Sequence, residues 1–571
     1  MVTPNRMPAV SAAARTVDLV VLGAGAGGMT AALTAAVLGF DVLLVEKTAE
    51  IGGNTARSAG SLWVPNTRHS PPGNDSFEKA LAYLRATVGN RLPESLARAF
   101  LAAAPEMVAF LEDNTAVALR AYPYHPDYIA TAEGATLKGR VLEALPFDGA
   151  VLGRDFTRLR PPLPEFTLLG GMMVNRADIN HLLNAFGSTA SLRHAAGLLL
   201  RHARDRLRFA RGARLVMGNA LAGRLFHSLL QRGVSILYET QCRSLLERQG
   251  GVEGAILRTP DGDMTVHSRR GVVLATGGFS LHPDLRAQLM PQPLPTHTPL
   301  IDSVTGDGIA LGEHAGGALG REHANNSFWA PVSVRRRRDG SSAVFPHFVL
   351  DRGKPGLIAI DGAGRRFVNE ATTYHRFAEA MYAAHESAPA IPCHFICDDR
   401  FIRTYGLGMV RPRGIGLRRA IAEGYVTTAS SLDALARALG VPPGALADTV
   451  ARHNGFAAIG VDLDFAKGED AYQRNLGDPD HAPNPCIGAL ETPPFHAIKV
   501  YPGDIGASAG LVTDAFARVL RADGPPIDGL YACGNDMSSI MAGSYPGPGV
   551  TIGPAMTFGY IAARHAAARE N

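Results

Sequence analysis

Residues 17–47 read VDLVVLGAGAGGMTAALTAAVLGFDVLLVEK, and their order decides the fold. Val17–Leu22 is an apolar run broken only by Asp18, suited to a strand buried on both faces of a parallel sheet. It ends in G-x-G-x-x-G at Gly23, Gly25 and Gly28, which opens an alanine-rich helical run, and a second apolar run, Asp41–Val45, closes on Glu46. Each part has a mechanical purpose. Gly23 permits the tight turn, Gly25 lets a pyrophosphate touch the backbone, and Gly28 lets helix and strand pack closely. The helix N-terminus draws phosphate charge, and Glu46 can accept hydrogen bonds from a ribose. The expectation is an α/β fold with a Rossmann-like parallel sheet holding a dinucleotide.

Three further segments say which dinucleotide. IGGNTARSAGSLWVPN (51–66) brings a second glycine pair directly after Glu46 and Lys47. A nicotinamide enzyme has no need of it there, whereas flavoproteins run this region beneath the isoalloxazine and ribityl chain. RRGVVLATGGFS (269–280) and IDGLYACGND (527–536) are each a strand leading into a glycine turn, returning the chain to the same ligand. The FAD contacts expected are Gly23, Gly25, Gly28, Glu46, Lys47, Gly53, Asn54, Ser58, Gly60, Ala275, Thr276, Gly277, Gly534, Asn535 and Ile552. No histidine for a covalent flavin stands in NTARSAGS, so FAD is expected to be held non-covalently. The domain expectation is an FAD domain over 15–320 and 490–571, interrupted by an α+β catalytic or capping domain over 321–489.

Composition narrows the function classes. The 571 residues are 46% hydrophobic and 19% charged, enough for a sizeable core, and the net charge of +4 is too small for this length to imply nucleic-acid binding. The basic run Arg335–Arg338 is expected to be a solvated loop. Five cysteines, with Cys393 and Cys397 spaced C-x3-C but no second pair or histidine cluster, give no metal site and no disulfide framework. Residues 1–16 lack the apolar centre of a secretory signal, and no uncharged stretch has the length of a spanning helix. A cytoplasmic, soluble protein is expected.

Taken together, VVLGAGAGGMTAA, VEKTAEIGGNTARSAGSLWVPN, VLATGGF, GDGIALGEHAGGALG, GRRFVNEATTY, YPGDIGASAGLVTD and the C-terminal GLYACGND with SYPGPGVTIGPAMTFGYIAARH resemble the FAD-dependent fumarate reductase/3-ketosteroid dehydrogenase superfamily. Soluble fumarate reductases carry an arginine in an ANRLGG-like C-terminal turn and a histidine before an MGG-like turn, both for substrate carboxylates. Here the first position is Tyr545 of GSYPGPG and YPGDIGASAG (501–510) has no histidine, leaving only Arg352 to match the reductases' proton donor. The 3-ketosteroid Δ1-dehydrogenase branch is similar at these places. Its Y-x-G-x-G is matched by Tyr545–Gly549, its tyrosine four residues after the Glu of VNE by Tyr374, and its DYHPE tyrosine by Tyr124 of YPYHPD, with Tyr122 and Tyr128 as close alternatives.

That resemblance implies α,β-dehydrogenation of a cyclic ketone, a 3-ketosteroid or a cyclohexanone-type ring. Tyr545 and the Gly549 N–H would polarise the carbonyl, Tyr374 with Tyr124 would take the α-proton, and the β-hydride would pass to flavin N5. A neutral phenol is a weak base at its usual pKa near 10, so an alkaline optimum is expected, with His375 or Arg376 as possible helpers. With no haem or iron–sulfur spacing, the electron acceptor is external: a quinone, a redox protein or a dye. Two rivals stand beside this expectation, a fumarate-type ene-reductase using Arg352 as acid and a non-catalytic electron-transfer subunit.

Residues 190–232 differ in character. Ala196, Leu200, Ala203, Leu207 and Ala210 recur at helical spacing beside Arg201, Arg204, Arg208 and Arg211. The pattern fits peripheral contact with an anionic membrane, or a helix packed on the FAD domain or on a neighbour in a homo-oligomer.

Overall fold

A computed structural model describes residues 14–348 and 351–569; most of the leader considered above, 1–13, lies outside the described residues. The apolar runs become adjacent parallel strands, in register from Leu19 opposite Val42 to Leu22 opposite Val45. They sit inside a six-stranded sheet ordered Ser235–Leu237, Val42–Val45, Leu19–Leu22, Val272–Leu274, Pro526–Ala532 and Arg518–Leu520. Every pairing is parallel except the last. Strands from both ends and the middle of the chain therefore meet in one sheet, the Rossmann-like arrangement expected. Its inner strands are buried along their length, which is why they read as continuous apolar runs rather than alternating ones.

Glycine sets how closely the helices lie on this sheet. At Gly28, in helix Ala26–Val37, a Cβ would stand 2.0 Å from the Gly23 carbonyl oxygen. Helix Ile552–Ala568 crosses the same helix at Gly559, where a Cβ would stand 2.4 Å from the Gly27 oxygen. No other residue permits either approach.

A second, antiparallel sheet orders Ser342–Pro346, Ser327–Arg336, Phe495–Ala507, Cys393–Asp398 and Leu357–Ile360, with Thr427–Ala429 also pairing with Phe495–Ala507. After Phe495–Ala507 the chain next enters the parallel sheet at Arg518. The basic run is only partly solvated, because Arg335 reaches Glu423 at 2.6 Å and Arg337 pairs with Glu165.

The segment 190–232 falls on two helices, Thr189–Asp205 and Met217–Gln231. Met217–Gln231 packs on the turn Thr55–Arg57, where a Cβ on Gly218 would stand 2.0 Å from the Thr55 oxygen. Thr189–Asp205 does the reverse of what an amphipathic pattern suggests. It buries Ser191, Ala195, Leu198, His202 and Asp205 and leaves the apolar stripe from Ala196 to Ala210 exposed. Among the described residues no helix is long and apolar enough to cross a membrane.

Candidate active site

A cleft of about 1420 Å³, open mouth included, runs along the C-terminal ends of the parallel strands, where open α/β sheets hold ligands. Every residue expected to contact FAD lines it except Gly28 and Gly60. Gly28 serves helix packing instead, and Gly60 abuts Gly218, whose backbone nitrogen a Cβ would meet at 2.3 Å.

The cleft wall fits a dinucleotide. A Cβ on Gly25 would project into open space, and the N–H groups of Gly25 and Gly27 take part in no hydrogen bond among the described residues. Both stand at the positive end of helix Ala26–Val37, a ready seat for pyrophosphate. The Glu46 carboxylate accepts from the Ala24 N–H at 3.1 Å and from the Thr48 N–H and hydroxyl at 2.9 Å each, so it keeps lone-pair capacity for a ribose. Lys47 turns to Thr305 and Asp307, at 2.6 and 3.0 Å. The middle and C-terminal segments are tied by Asp536. Its carboxylate is buried and accepts from the Thr276 N–H and hydroxyl and, at 2.8 Å, from the Gly278 N–H. Asp536 ends the GND triplet of a segment recognised from sequence, yet its clasping role showed only in the fold.

Beyond the flavin-sized cleft lies a cluster of phenols. Tyr374 opens helix Tyr374–His385, whose N-cap Thr373 accepts the Arg376 N–H at 3.2 Å. Its base is fixed by Glu370, the VNE acid, which binds Arg366 at 2.8 Å and Lys467 at 3.1 Å and accepts the Ala359 N–H at 3.0 Å. Tyr545 stands in the turn before helix Ile552–Ala568, its ring 5.2 Å from that of Tyr374 and 5.1 Å from Phe328. In the same turn Gly549 has φ +86°, a Cβ there would strike the Ser61 oxygen at 2.2 Å, and its N–H is used in no hydrogen bond among the described residues.

Tyr124 does not join them. It is 46% exposed, while Tyr128, four residues on, is buried and donates its hydroxyl to the Tyr374 hydroxyl at 3.2 Å. The loop decides this: His125 and Asp127 pair with Leu137 and Thr136, turning Tyr124 outward, and the Tyr128 N–H donates to the Pro546 carbonyl at 3.0 Å. The Tyr83 hydroxyl donates to the same carbonyl at 2.6 Å and accepts the Ile129 N–H at 3.2 Å, so the two tyrosine-bearing loops are stitched together. A fourth phenol, Tyr472, lies 4.7 Å from the Tyr128 ring and carried no sequence signal.

Burial pushes Tyr128, Tyr374 and Tyr545 above the usual phenol pKa, the first two well above it, and raises Tyr472 to about 12. The opposing charge comes from Arg352, fully buried behind the cluster, which pulls Tyr128 and Tyr472 back down. Neither residue expected to help fills that place. Arg376 is exposed, and burial lowers His375 to about 3, so its ring is neutral and accepts the Trp329 N–H at 3.0 Å. Arg352 spends four of its N–H bonds on the carbonyls of His347, Phe348, Glu370 and Thr372. Phe348 connects the two regions, lining the cleft and packing edge-on against Tyr374 at 4.9 Å.

A glycine-walled cleft over a parallel sheet is flavoprotein architecture. Residues 18–552 match the FAD binding domain family, and the chain is an FAD-dependent oxidoreductase. Within that class it belongs to the 3-ketosteroid Δ1-dehydrogenase family. It is 36% identical to 3-oxosteroid 1-dehydrogenase of Mycobacterium tuberculosis, over 96% of this chain and 98% of that one. It is 35% identical to 4-oxocyclohex-2-ene-1-carboxylate 5-dehydrogenase of Sinomonas cyclohexanicum, over 97% and 95%. The crystal structure of 3-ketosteroid Δ1-dehydrogenase from Sterolibacterium denitrificans with 1,4-androstadiene-3,17-dione superposes with a TM-score of 0.90 at 35% identity, covering 97% of this chain and all of that one.

Proposed function

We propose that this enzyme introduces a carbon–carbon double bond beside the carbonyl of a cyclic ketone, with Tyr128, Tyr374, Tyr545 and Gly549 as its catalytic groups. The observation that carries this reading is the meeting of three buried phenols with an unspent N–H in the turn that also carries Tyr545. The α-proton of a ketone is weakly acidic, so charge must be stabilised on the oxygen as the proton leaves. The Tyr545 hydroxyl and the Gly549 N–H are the two donors for that oxygen, each worth about 3 kcal/mol in a dry site.

Tyr374 takes the α-proton. The hydroxyl of Tyr128 donates to it, a bond that strengthens as the accepting oxygen gains negative charge, and Arg352 supplies positive charge from behind. Bound in the cleft, FAD would supply a hydride acceptor for the β-hydrogen and a route for two electrons to an external acceptor. Gly25, Gly27, Glu46, Asn54 and Thr276 would hold its pyrophosphate, ribose and ring-bearing parts. The relatives are named for ketosteroids and for oxocyclohexane carboxylates, and both ring systems present the ketone these donors would grip.

The ene-reductase reading is disfavoured by Arg352, four of whose five N–H groups are committed to backbone carbonyls. A pure electron carrier has no use for a buried cluster of phenols beside the cleft. The test is anaerobic mixing of oxidised enzyme with a panel of 3-ketosteroids and simple cyclohexanones. Bleaching of the flavin by a ketone is expected, lost by orders of magnitude in Tyr545→Phe with FAD retained. Reoxidation of reduced enzyme by fumarate with no ketone bleaching would defeat the proposal.

A further inference from the structure

The guanidinium behind the phenols is held without a counter-ion, although buried charges are usually paired. Arg352 is fully buried, bonds four neutral carbonyl oxygens, and forms no ion pair among the described residues. Its charge acts on Tyr472, Tyr128 and Tyr374. Yet a carboxylate stands next to it in the chain. Asp351 is buried too, and burial works against its ionisation, but the charge and hydrogen bond of His347 outweigh that and hold it below the usual carboxylate range. Between these two neighbours the bond runs through the main chain, the Arg352 N–H donating to Asp351 Oδ1 at 2.9 Å.

His347 holds the carboxylate on the other side. Its Nδ1 lies 2.6 Å from Asp351 Oδ2, which also accepts the Gly408 N–H at 3.1 Å. Its Nε2 lies 2.8 Å from Ser333 Oγ, and that hydroxyl lies 2.7 Å from the Tyr425 hydroxyl. Phe345 and Phe395 pack edge-on against the imidazole at 5.2 and 5.1 Å. The order Ser333, His347, Asp351 is that of a nucleophilic triad, but all three are buried and no substrate meets the serine. What the network touches is the phenol site. Arg352 donates to the His347 carbonyl at 2.7 Å and to that of Phe348, the ring packed on Tyr374, at 3.0 Å.

A carboxylate turned onto Arg352 would cancel the charge that the phenols feel. We propose that His347 is a positioning residue for the ketone chemistry: by keeping Asp351 to itself it leaves the Arg352 guanidinium uncompensated beneath the phenols, an inference that rests on Tyr374 being the base. The other ionisable groups about the pair are Tyr425, Cys397 and Arg335. Burial pushes the first two above their usual ranges, and Arg335 is already paired with Glu423. The charges in play are therefore those of Asp351, Arg352 and the imidazole.

The test is the pH dependence of kcat/KM on the full-length FAD-loaded enzyme, using the ketone of the panel above that bleaches the flavin fastest. Flavin content and thermal melting check the fold. His347→Leu frees Asp351 to turn on Arg352, so the alkaline limb should move up by about one pH unit, a tenfold loss at a fixed pH on that limb. His347→Gln, whose amide can donate to Asp351, should move it less. Asp351→Asn removes the opposing charge itself and should leave the limb in place or lower it. The double variant His347→Leu/Asp351→Asn should bring the limb back toward its original position. A role in packing alone moves the limb alike in His347→Leu and Asp351→Asn, or in neither, and both results overturn the proposal. Where His347→Leu does not fold, Asp351→Asn decides, and a limb that climbs in it overturns the proposal. An unaltered enzyme with no alkaline limb refutes Tyr374 as the base, whereas a limb that is present and indifferent to His347 refutes only the positioning role.

Discussion

The FAD cleft and the phenol cluster are built by different means. The cleft is made of backbone: glycines bring N–H groups and a helix end to its wall, and side chains such as Asp536 serve mainly to tie the segments together. The cluster is made of side chains from four distant places, Tyr128, Tyr374, Tyr472 and Tyr545, packed in a buried core. Backbone sites fail when geometry is blocked. Side-chain sites fail when one functional group is removed, with the frame left standing.

The largest effect is therefore expected at the cleft. Gly23 has φ +100°, and a Cβ there would stand 2.2 Å from the Ala275 carbonyl oxygen. Gly23→Val should yield no FAD-loaded protein, read by flavin absorbance and by thermal melting. A folded, flavin-replete variant would break the contrast. Tyr374→Phe should lower kcat by about 10³ with FAD binding unchanged, since removing a positioned base costs 10²–10⁴. Steady-state turnover beside flavin stoichiometry measures both.

The support beneath the cluster is a third kind of element. Glu370 is buried between Arg366 and Lys467, which hold its carboxyl well below the usual range. A depressed carboxylate contributes stability above its unfolded pKa, about 4.3, and that contribution is lost as pH falls below it. Glu370→Ala takes the carboxylate from buried Lys467 and leaves Arg366 paired with Asp462 alone, and should cost about 3–5 kcal/mol by urea denaturation at neutral pH. A smaller cost in acid than at pH 7 follows from the same linkage, and an equal cost at both would refute it.

This division also explains what was legible in the sequence. Gly23, Gly25 and Glu46 are readable because backbone geometry needs particular residues at particular spacings, and the apolar strands announce a parallel sheet. Tyr374 and Tyr545 are readable because glycine, proline or an acid at fixed offset frames them. Tyr124 and Tyr128 share one loop of three nearby tyrosines, and only the pairing of His125 and Asp127 across it sets which points inward. Tyr472 and the pull of Arg352 on Tyr128 and Tyr472 depend on residues over a hundred positions apart, which no local pattern records. The stripe on Thr189–Asp205 was visible, but whether it faced the protein or the solvent was a tertiary fact.

The pH profile probes the cluster more gently than deletion. A base whose pKa is raised by burial must lose its proton to act, so kcat/KM should climb about tenfold per pH unit on the alkaline side of neutrality. Buried phenols with raised pKa values keep their stability contribution below about pH 10 and lose it above, so unfolding bounds the climb. A kcat/KM flat from neutral to alkaline pH would remove Tyr374 as the base.

The smallest expected effect is the sharpest test of which loop tyrosine matters. Tyr124 is exposed and Tyr128 donates to Tyr374, so the two phenol-to-phenylalanine changes should part company. Tyr128→Phe removes the hydrogen bond that strengthens as Tyr374 gains negative charge and should shift the alkaline limb of kcat/KM upward by about one pH unit, a bond to a charged group being worth about 1.5–3 kcal/mol. Tyr124→Phe removes a solvated hydroxyl and should leave turnover within about twofold, as surface substitutions do. A reversed pattern, with Tyr124→Phe moving the limb and Tyr128→Phe silent, would mean that the loop rearranges when ketone binds and that the contact seen between Tyr128 and Tyr374 is not the catalytic one.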